Sequence, residues 1–243
     1  MKIIELSKIK DIIKSDSLIA IGGFTINRKP ISIIKEICKS QISNLHLYFL
    51  AGSIDADMLI KESKVSKISA AYVGYEGLGL SRVTRRAVES GKVLFEDLTE
   101  ILYYYRLKAG AEKLPYLMTD SIKNTEIMSI NSACERIIEG ENDIRCKINA
   151  INPDYCIIHA QKADKEGNKI ISEPDFCEKE MAQASKITIF SVEEIGKIGP
   201  KEITIPKEHV NYIVVSKRGA LPTGCKDHYL PNIKEIVGNL ENE

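Results

Sequence analysis

Two glycines followed by an aromatic and a hydroxyl, Gly22-Gly23-Phe24-Thr25, come directly after the apolar run Leu18–Ile21. In an open α/β sheet, ligands bind beyond the carboxyl ends of the strands, where the loops leading into helices gather. A glycine pair at that place lets backbone amides approach a ligand closely and offers donors to a developing oxyanion. A bare Gly-Gly is more often a plain strand-to-helix turn. No G-x-G-x-x-G or Walker A pattern accompanies it, so a nucleotide-phosphate cradle is not indicated. Arg28-Lys29-Pro30 follows at once and sets two cations at the start of a helical stretch. Helix N-termini favour anions, and an arginine there adds a bidentate partner for a carboxylate or phosphate. A solvated basic turn is the alternative reading.

Other reactive side chains are scattered. His159 ends an apolar run and titrates in the useful range, although a structural bond to a neighbouring loop is the commoner role at such a place. His46, His209 and His228 have no companions at triad or ligand spacing. The six cysteines (Cys38, Cys134, Cys146, Cys156, Cys177 and Cys225) form no C-x-x-C pair. Reduced thiols in a cytoplasm are expected rather than disulfides or a zinc site, with Cys225 an inert or pocket-lining thiol.

The elements that must position these groups follow from hydrophobic pattern. Leu18–Ile21, Leu45–Leu50, Ile68–Val73, Cys156–His159, Ile187–Val192 and Tyr212–Val215 are short, nearly continuous apolar runs, as in strands buried on both faces of a parallel sheet. Ile31–Lys39, Ser81–Ser90, Leu98–Glu112 and Phe176–Ala184 carry helical spacing, and Pro30 suits a first helical position. Alternation of the two predicts an open, mostly parallel α/β sheet flanked by helices, with residues 1–243 as one domain. Thr119–Asn152 is the least regular stretch and is expected to be a loop excursion or an insertion beside a site. Asp164-Lys165-Glu166-Gly167-Asn168 is a tight turn that closes a hairpin from Cys156–His159 to Lys169–Ile171.

Bulk properties exclude several classes. Thirty-four basic residues balance 34 acidic ones, so no net field draws the chain to nucleic acid or an anionic membrane. No apolar run approaches the ~20 residues of a membrane span, and the Lys- and Glu-interspersed N-terminus does not read as a signal peptide. A cytoplasmic protein is expected.

The full string Gly22-Gly23-Phe24-Thr25-Ile26-Asn27-Arg28-Lys29-Pro30 resembles the opening motif of the A subunit of glutaconate-type coenzyme A transferases. Further matches come in order: Ala51-Gly52-Ser53 with Asp57-Met58-Leu59-Ile60, then Gly74-Tyr75-Glu76-Gly77-Leu78-Gly79 with Ser81-Arg82 and Arg85-Arg86. Leu107 to Leu117, Ile157-Ile158-His159-Ala160-Gln161 with Asp164, Gly167 and Asn168, and Gly219-Ala220-Leu221-Pro222 with Cys225 complete a series across residues 15–230. The resemblance implies an A subunit that works with a B subunit, in a heterotetramer or heterooctamer. CoA passes from an acyl-CoA to a small carboxylic acid through a glutamyl-CoA on the B subunit. A CoA thioester would be the substrate, with no permanently bound cofactor. By motif position Gly22, Gly23 and Phe24 would line the thioester site with Thr25 and Arg28 close behind, Glu76 would be a further substrate- or CoA-binding residue, and Ser81 would lie near the acyl group, although Ser81 also suits a helix N-cap. The chain is shorter than the corresponding subunit of the glutaconate enzyme, which leaves short-chain acids and 3-oxoacids open as substrates.

Glu76 and Glu96-Asp97-Leu98-Thr99-Glu100 also resemble a branch that hydrolyses carbon–carbon bonds in cyclic CoA thioesters. There Glu100 would be the base, partly shielded by Ile101-Leu102-Tyr103; a helix-start glutamate that serves the dipole is the plain alternative. A third reading is a CoA-ester-binding protein that kept the fold without the chemistry.

Overall fold

The computed structural model describes residues 1–139, 143–172 and 175–241. The first half contains β1 (Lys2–Ile3), α1 (Ile9–Ile12), β2 (Leu18–Ile21), α2 (Ile31–Lys39), β3 (Leu45–Gly52), α3 (Ile54–Lys61), β4 (Val65–Val73), α4 (Arg82–Glu89), β5 (Leu94–Asp97) and α5 (Glu100–Ala111). The second contains β6 (Tyr116–Thr119), α6 (Ile127–Ile130), β7 (Cys134–Glu139), β8 (Asp143–Asn149), β9 (Tyr155–Ala163), β10 (Lys169–Ile170), α7 (Glu178–Ala184), β11 (Ile187–Ile195), β12 (Tyr212–Val215) and α8 (Ile233–Glu241).

The main sheet runs β1-β12-β11-β9-β2-β3-β4-β5 with every pair parallel, and β10 folds back antiparallel on β9. It is the open parallel sheet flanked by helices that the apolar runs predict. The period-2 alternation of a strand splits its residues between two cores. Ile19, Ile21 and Ile157 pack on one face with Ile33, Ile34 and Ile37 of α2 and Leu59 of α3. Ala20, Cys156 and Ile158 pack on the other with Leu102, Tyr103 and Leu107 of α5 and Met181 and Ala182 of α7.

Direction of travel fixes the crevice. The chain passes from β2 outward through β3, β4 and β5, then returns to lay β9 on the other side of β2, with Ile21 beside Ile157. The switch point therefore lies beyond the ends of β2 and β9, where α/β sheets open a crevice for ligands.

Several expectations are corrected. Thr119–Asn152 is not a loop excursion: it contains α6 and most of a second, antiparallel sheet in the order β6-β8-β7, which packs Cys134, Cys146 and Ile148 on the α5 side; residues 140–142 of that stretch lie outside the described residues. Pro30 stands one position before α2, as its N-cap. The hairpin after β9 forms as expected, held by Asp164 Oδ1, which accepts the amides of Glu166, Gly167 and Asn168 at 2.9, 2.7 and 2.9 Å.

Candidate functional site

The loop from Gly22 to Pro30 sits over the switch point and is fastened from within. Gly22 N–H donates to Ile157 O at 2.9 Å, and Gly23 N–H to the Glu178 carboxylate at 2.7 Å. Phe24 and Asn27 exchange backbone bonds of 2.9 and 2.8 Å, and Arg28 N–H donates to Gly224 O at 2.7 Å. The expectation that the paired glycines aim amides at a ligand is thus corrected, since the amides of Gly22, Gly23 and Phe24 all have internal acceptors. The glycines are required for packing. A Cβ on Gly22 would stand 2.5 Å from Glu178 Oε1, and one on Gly23, whose φ is +78°, would stand 2.5 Å from Arg28 O.

Arg28 is also corrected as a substrate ligand. Its side chain has no solvent exposure and is paired with Glu178 of α7 through two bonds, Nη2–Oε2 at 2.6 Å and Nη1–Oε1 at 2.9 Å. Nη1 also donates to His159 O at 2.8 Å, which ties the loop to the end region of β9. Lys29 is equally buried, 3.2 Å from Asp55 and bonded to Ala51 O at 2.7 Å, and burial lowers its pKa below the ordinary lysine value. The two cations that looked available for an anion are both neutralised inside the protein, a pattern that desolvation makes obligatory.

Phe24 remains in play. It is half-buried, stacks on Phe176 with centroids 4.4 Å apart, and separates two clefts. The first, about 370 Å³, lies between Phe24, Phe176, Cys225, Tyr229 and Leu230; its one charged lining residue is Lys226. The second, about 470 Å³, is lined by Thr25, Leu50, Tyr72, Leu98 and the carboxylate residues Glu76 and Glu100, at the carboxyl ends of β3, β4 and β5. Thr25 Oγ1 donates to Glu76, and Asn27 Nδ2 reaches the same carboxylate at 3.2 Å. Glu100 opens α5 behind its N-cap Thr99 and is exposed, so the apolar shielding expected for it is absent. Ser81 borders neither of these clefts. It caps α4, its Oγ accepting Thr84 N–H at 2.9 Å and donating to Asp57, so its hydroxyl is committed to structure.

Behind the first cleft His159, fully buried, bonds Ser191 through Nδ1 at 2.8 Å and Glu193 through Nε2 at 2.9 Å. Burial lowers its pKa, against the pull of Glu193. Burial pushes the Glu193 carboxyl up, yet bonds from His159, Tyr229 and Arg218 N–H outweigh it and hold the group at about 2. Tyr229 Oη donates to Glu193 at 2.5 Å. His159, Glu193 and Cys225 bring possible ligand atoms within 4.8 Å of one another, but the imidazole and carboxylate are already bonded to each other and to neighbours, which fits a closed structural network. Sequence reasoning did not find Glu178, Phe176 or Tyr229. Glu178 stands 150 residues from Arg28, and no local pattern signals such a pairing.

An open parallel sheet with a strapped glycine loop at its switch point, an aromatic wedge and two flanking clefts defines an α/β protein with its candidate site at the carboxyl ends of the strands. The chain belongs to the coenzyme A transferase family, whose model matches residues 6–216. It is 30% identical over 240 residues to the A subunit of glutaconate CoA-transferase from Acidaminococcus fermentans, an alignment that spans 89% of this chain and 75% of the relative. It is 28% identical to the A subunit of 3-oxoadipate CoA-transferase from Pseudomonas knackmussii, over 73% of this chain and 64% of that one. The IpdA subunit of the cholesterol ring-cleaving hydrolase from Rhodococcus jostii is 24% identical over 89% of this chain and 78% of the relative. The crystal structure of the Acidaminococcus fermentans glutaconate coenzyme A-transferase superposes with a TM-score of 0.91 at 26% identity, over 97% of this chain and 82% of that one. The chain is homologous to the A subunits of CoA-transferases.

Proposed function

We propose that this chain is the A subunit of a two-subunit coenzyme A transferase that moves CoA between an acyl-CoA and a carboxylic acid. The similarity to the A subunit of glutaconate CoA-transferase over 89% of the chain carries this reading, supported by two clefts meeting at Phe24 over the switch point. The nucleophile is a glutamate of the B subunit; it attacks the thioester carbonyl, expels CoA as thiolate and forms a mixed anhydride. The thiolate then attacks the glutamyl carbonyl and releases the first acid, leaving a glutamyl-CoA thioester; the acceptor acid reverses both steps. This chain contributes walls: Phe24 packs beside the thioester, Thr25 and Glu76 hold the loop's edge, and the buried Arg28–Glu178 pair keeps the loop in register with β9. The pair of subunits assembles as a heterotetramer or heterooctamer in the cytoplasm, in keeping with six free thiols and no helix among the described residues long and apolar enough to cross a membrane.

The test is reconstitution. This chain purified alone should transfer no CoA, while co-expression with its B subunit should give turnover and a glutamyl-CoA adduct on that partner, seen by mass spectrometry. Turnover by the isolated chain refutes the division of labour. The hydrolase reading rests on Glu100, which lines the second cleft. Under that reading E100Q abolishes cleavage of a cyclic CoA thioester; under ours the adduct on the partner persists in E100Q.

A further inference from the structure

The two clefts that flank Phe24 differ in charge. The first is mainly apolar, with Lys226 as its charged lining residue. The second has an apolar floor of Leu50, Ala51, Ala71 and Leu98, and its charged lining residues are both carboxylates, Glu76 and Glu100. Among the described residues the Glu100 side chain has neither an ion pair nor a hydrogen bond, so no cationic side chain offsets the charge it brings to the cleft, and the N-terminus of α5 is left to do so. Glu76 is bonded to two neutral donors, Thr25 and Asn27, which orient it and add no positive charge. The cations of the neighbouring loop cannot offset the two carboxylates, because Lys29 is paired with Asp55 at 3.2 Å and Arg28 with Glu178 at 2.6 Å, each pair wholly buried.

We infer that the second cleft receives the acyl group, and that Glu76 and Glu100 select acids without a distal negative charge over dicarboxylic acids. CoA itself is a polyanion, so its phosphate-bearing arm is disfavoured beside two carboxylates, which leaves this cleft to the acyl chain. A chain of a few carbons places its far end between the carboxylates and against Leu50 and Leu98. A ketone or methyl terminus there meets apolar wall, whereas a carboxylate terminus meets two like charges at the protein surface, where the effective dielectric is lower and their repulsion larger than in bulk water. The inference rests on the transferase reading for the reaction but not for the charge preference, and it sets this chain apart from the dicarboxylic acid in its relative's name.

The probes are glutarate and 5-oxohexanoate, identical except that an acetyl group replaces the distal carboxylate, and their CoA thioesters. With the assembled two-subunit enzyme, 5-oxohexanoate should show a kcat/KM at least about tenfold above that of glutarate, equivalent to about 1.4 kcal/mol. E100Q should narrow the ratio, and E100K should reverse it; both changes lie at an exposed position, so folding is retained. Calorimetric titration should show 5-oxohexanoyl-CoA binding more tightly than glutaryl-CoA in the same order of variants. Equal or tighter binding of glutaryl-CoA by the unaltered protein overturns the inference, whatever the transfer assay gives. A neutral-acid preference untouched by E100Q, E100K and E76Q also overturns it, because the carboxylates would not be its source. Intact binding preference with no CoA transfer to either acid refutes the transferase reading and leaves the inference standing.

Discussion

Neutralising Glu178 should remove a large part of the protein's stability, although nothing in its local sequence marks it as important. The Glu178 carboxylate accepts three bonds, two from Arg28 at 2.6 and 2.9 Å and one from Gly23 N–H at 2.7 Å, with no solvent on either charged side chain. In E178Q the amide oxygen can keep the bonds at Oε1, but its NH2 faces Arg28 Nη2 donor to donor. The buried guanidinium is left without its counter-charge. Breaking a buried pair this way costs about 3–5 kcal/mol, a large part of the 5–15 kcal/mol that holds a typical domain. R28M should cost a similar amount by stranding the carboxylate. The double change R28M/E178L removes both charges, so its cost reduces to two stranded backbone groups, Gly23 N–H and His159 C=O, at about 1–3 kcal/mol each. The double variant should therefore cost about 2–6 kcal/mol, less than the roughly 6–10 kcal/mol sum of the single changes, with a coupling energy of about 4 kcal/mol at the midpoints. Urea unfolding followed by far-ultraviolet circular dichroism is the assay, since the chain has no tryptophan. Additive single and double effects, or an E178Q cost below about 1 kcal/mol, would refute the reasoning.

Gly22→Ala must displace Glu178 Oε1 and Ile158, 2.5 and 2.9 Å from the new Cβ, and should destabilise by about 1–3 kcal/mol; Gly23→Ala meets backbone at Arg28 O and a φ of +78°, and should cost more. Denaturation midpoints that rank the two the other way would contradict the packing described. His46 has its pKa lowered to about 4, first by burial and then by Lys67, while it bonds Ser69 Oγ at 2.7 Å. Because the folded state resists protonation that the unfolded chain accepts from about pH 6.5, stability should fall as pH drops from 6.5 towards 4. H46Q should lose part of that slope, and an unchanged slope between pH 6.5 and 4.5 would exclude His46 as its source.

Strands and helices whose sides are set by burial could be read from the chain. β2, α2 and β12 carry the bounds that their apolar runs predict, because each residue's polarity agrees with its surroundings. α3 was hidden for the opposite reason. Its Asp55 and Asp57 look like surface residues, yet both are buried and balanced by distant groups: Lys29 for Asp55, and Tyr75, Ser81 and Thr84 for Asp57. β5 is a short edge strand with Leu94, Phe95 and Asp97 exposed, so it lacks the both-faces-buried signature. The sheet of β6, β7 and β8 is antiparallel and rich in polar residues, which in one dimension resembles a loop. At the site, the position of the loop was legible and the direction of its groups was not. Whether Arg28 points to solvent or to Glu178 depends on a contact across 150 residues.

That direction changes what the motif means. Gly23, Thr25 and Arg28 all take positive φ, at 78°, 46° and 54°. For the two non-glycine residues this is a conformation that costs on the order of 1–2 kcal/mol each. A loop bent this way persists only if its surroundings over-determine it, and here they do: the buried Arg28–Glu178 and Lys29–Asp55 pairs, the Thr25–Glu76 bond and the internal acceptors for Gly22, Gly23 and Phe24. The polar groups of the motif are thus consumed in holding a shape, and the shape presents one apolar ring between two clefts. Donors already engaged in this way are not available to stabilise charge on a reacting carbonyl. Under the transferase reading proposed above, the electrostatic part of catalysis comes from groups outside this loop, and the loop's share is to fix where the thioester lies and which acyl chains lie beside it.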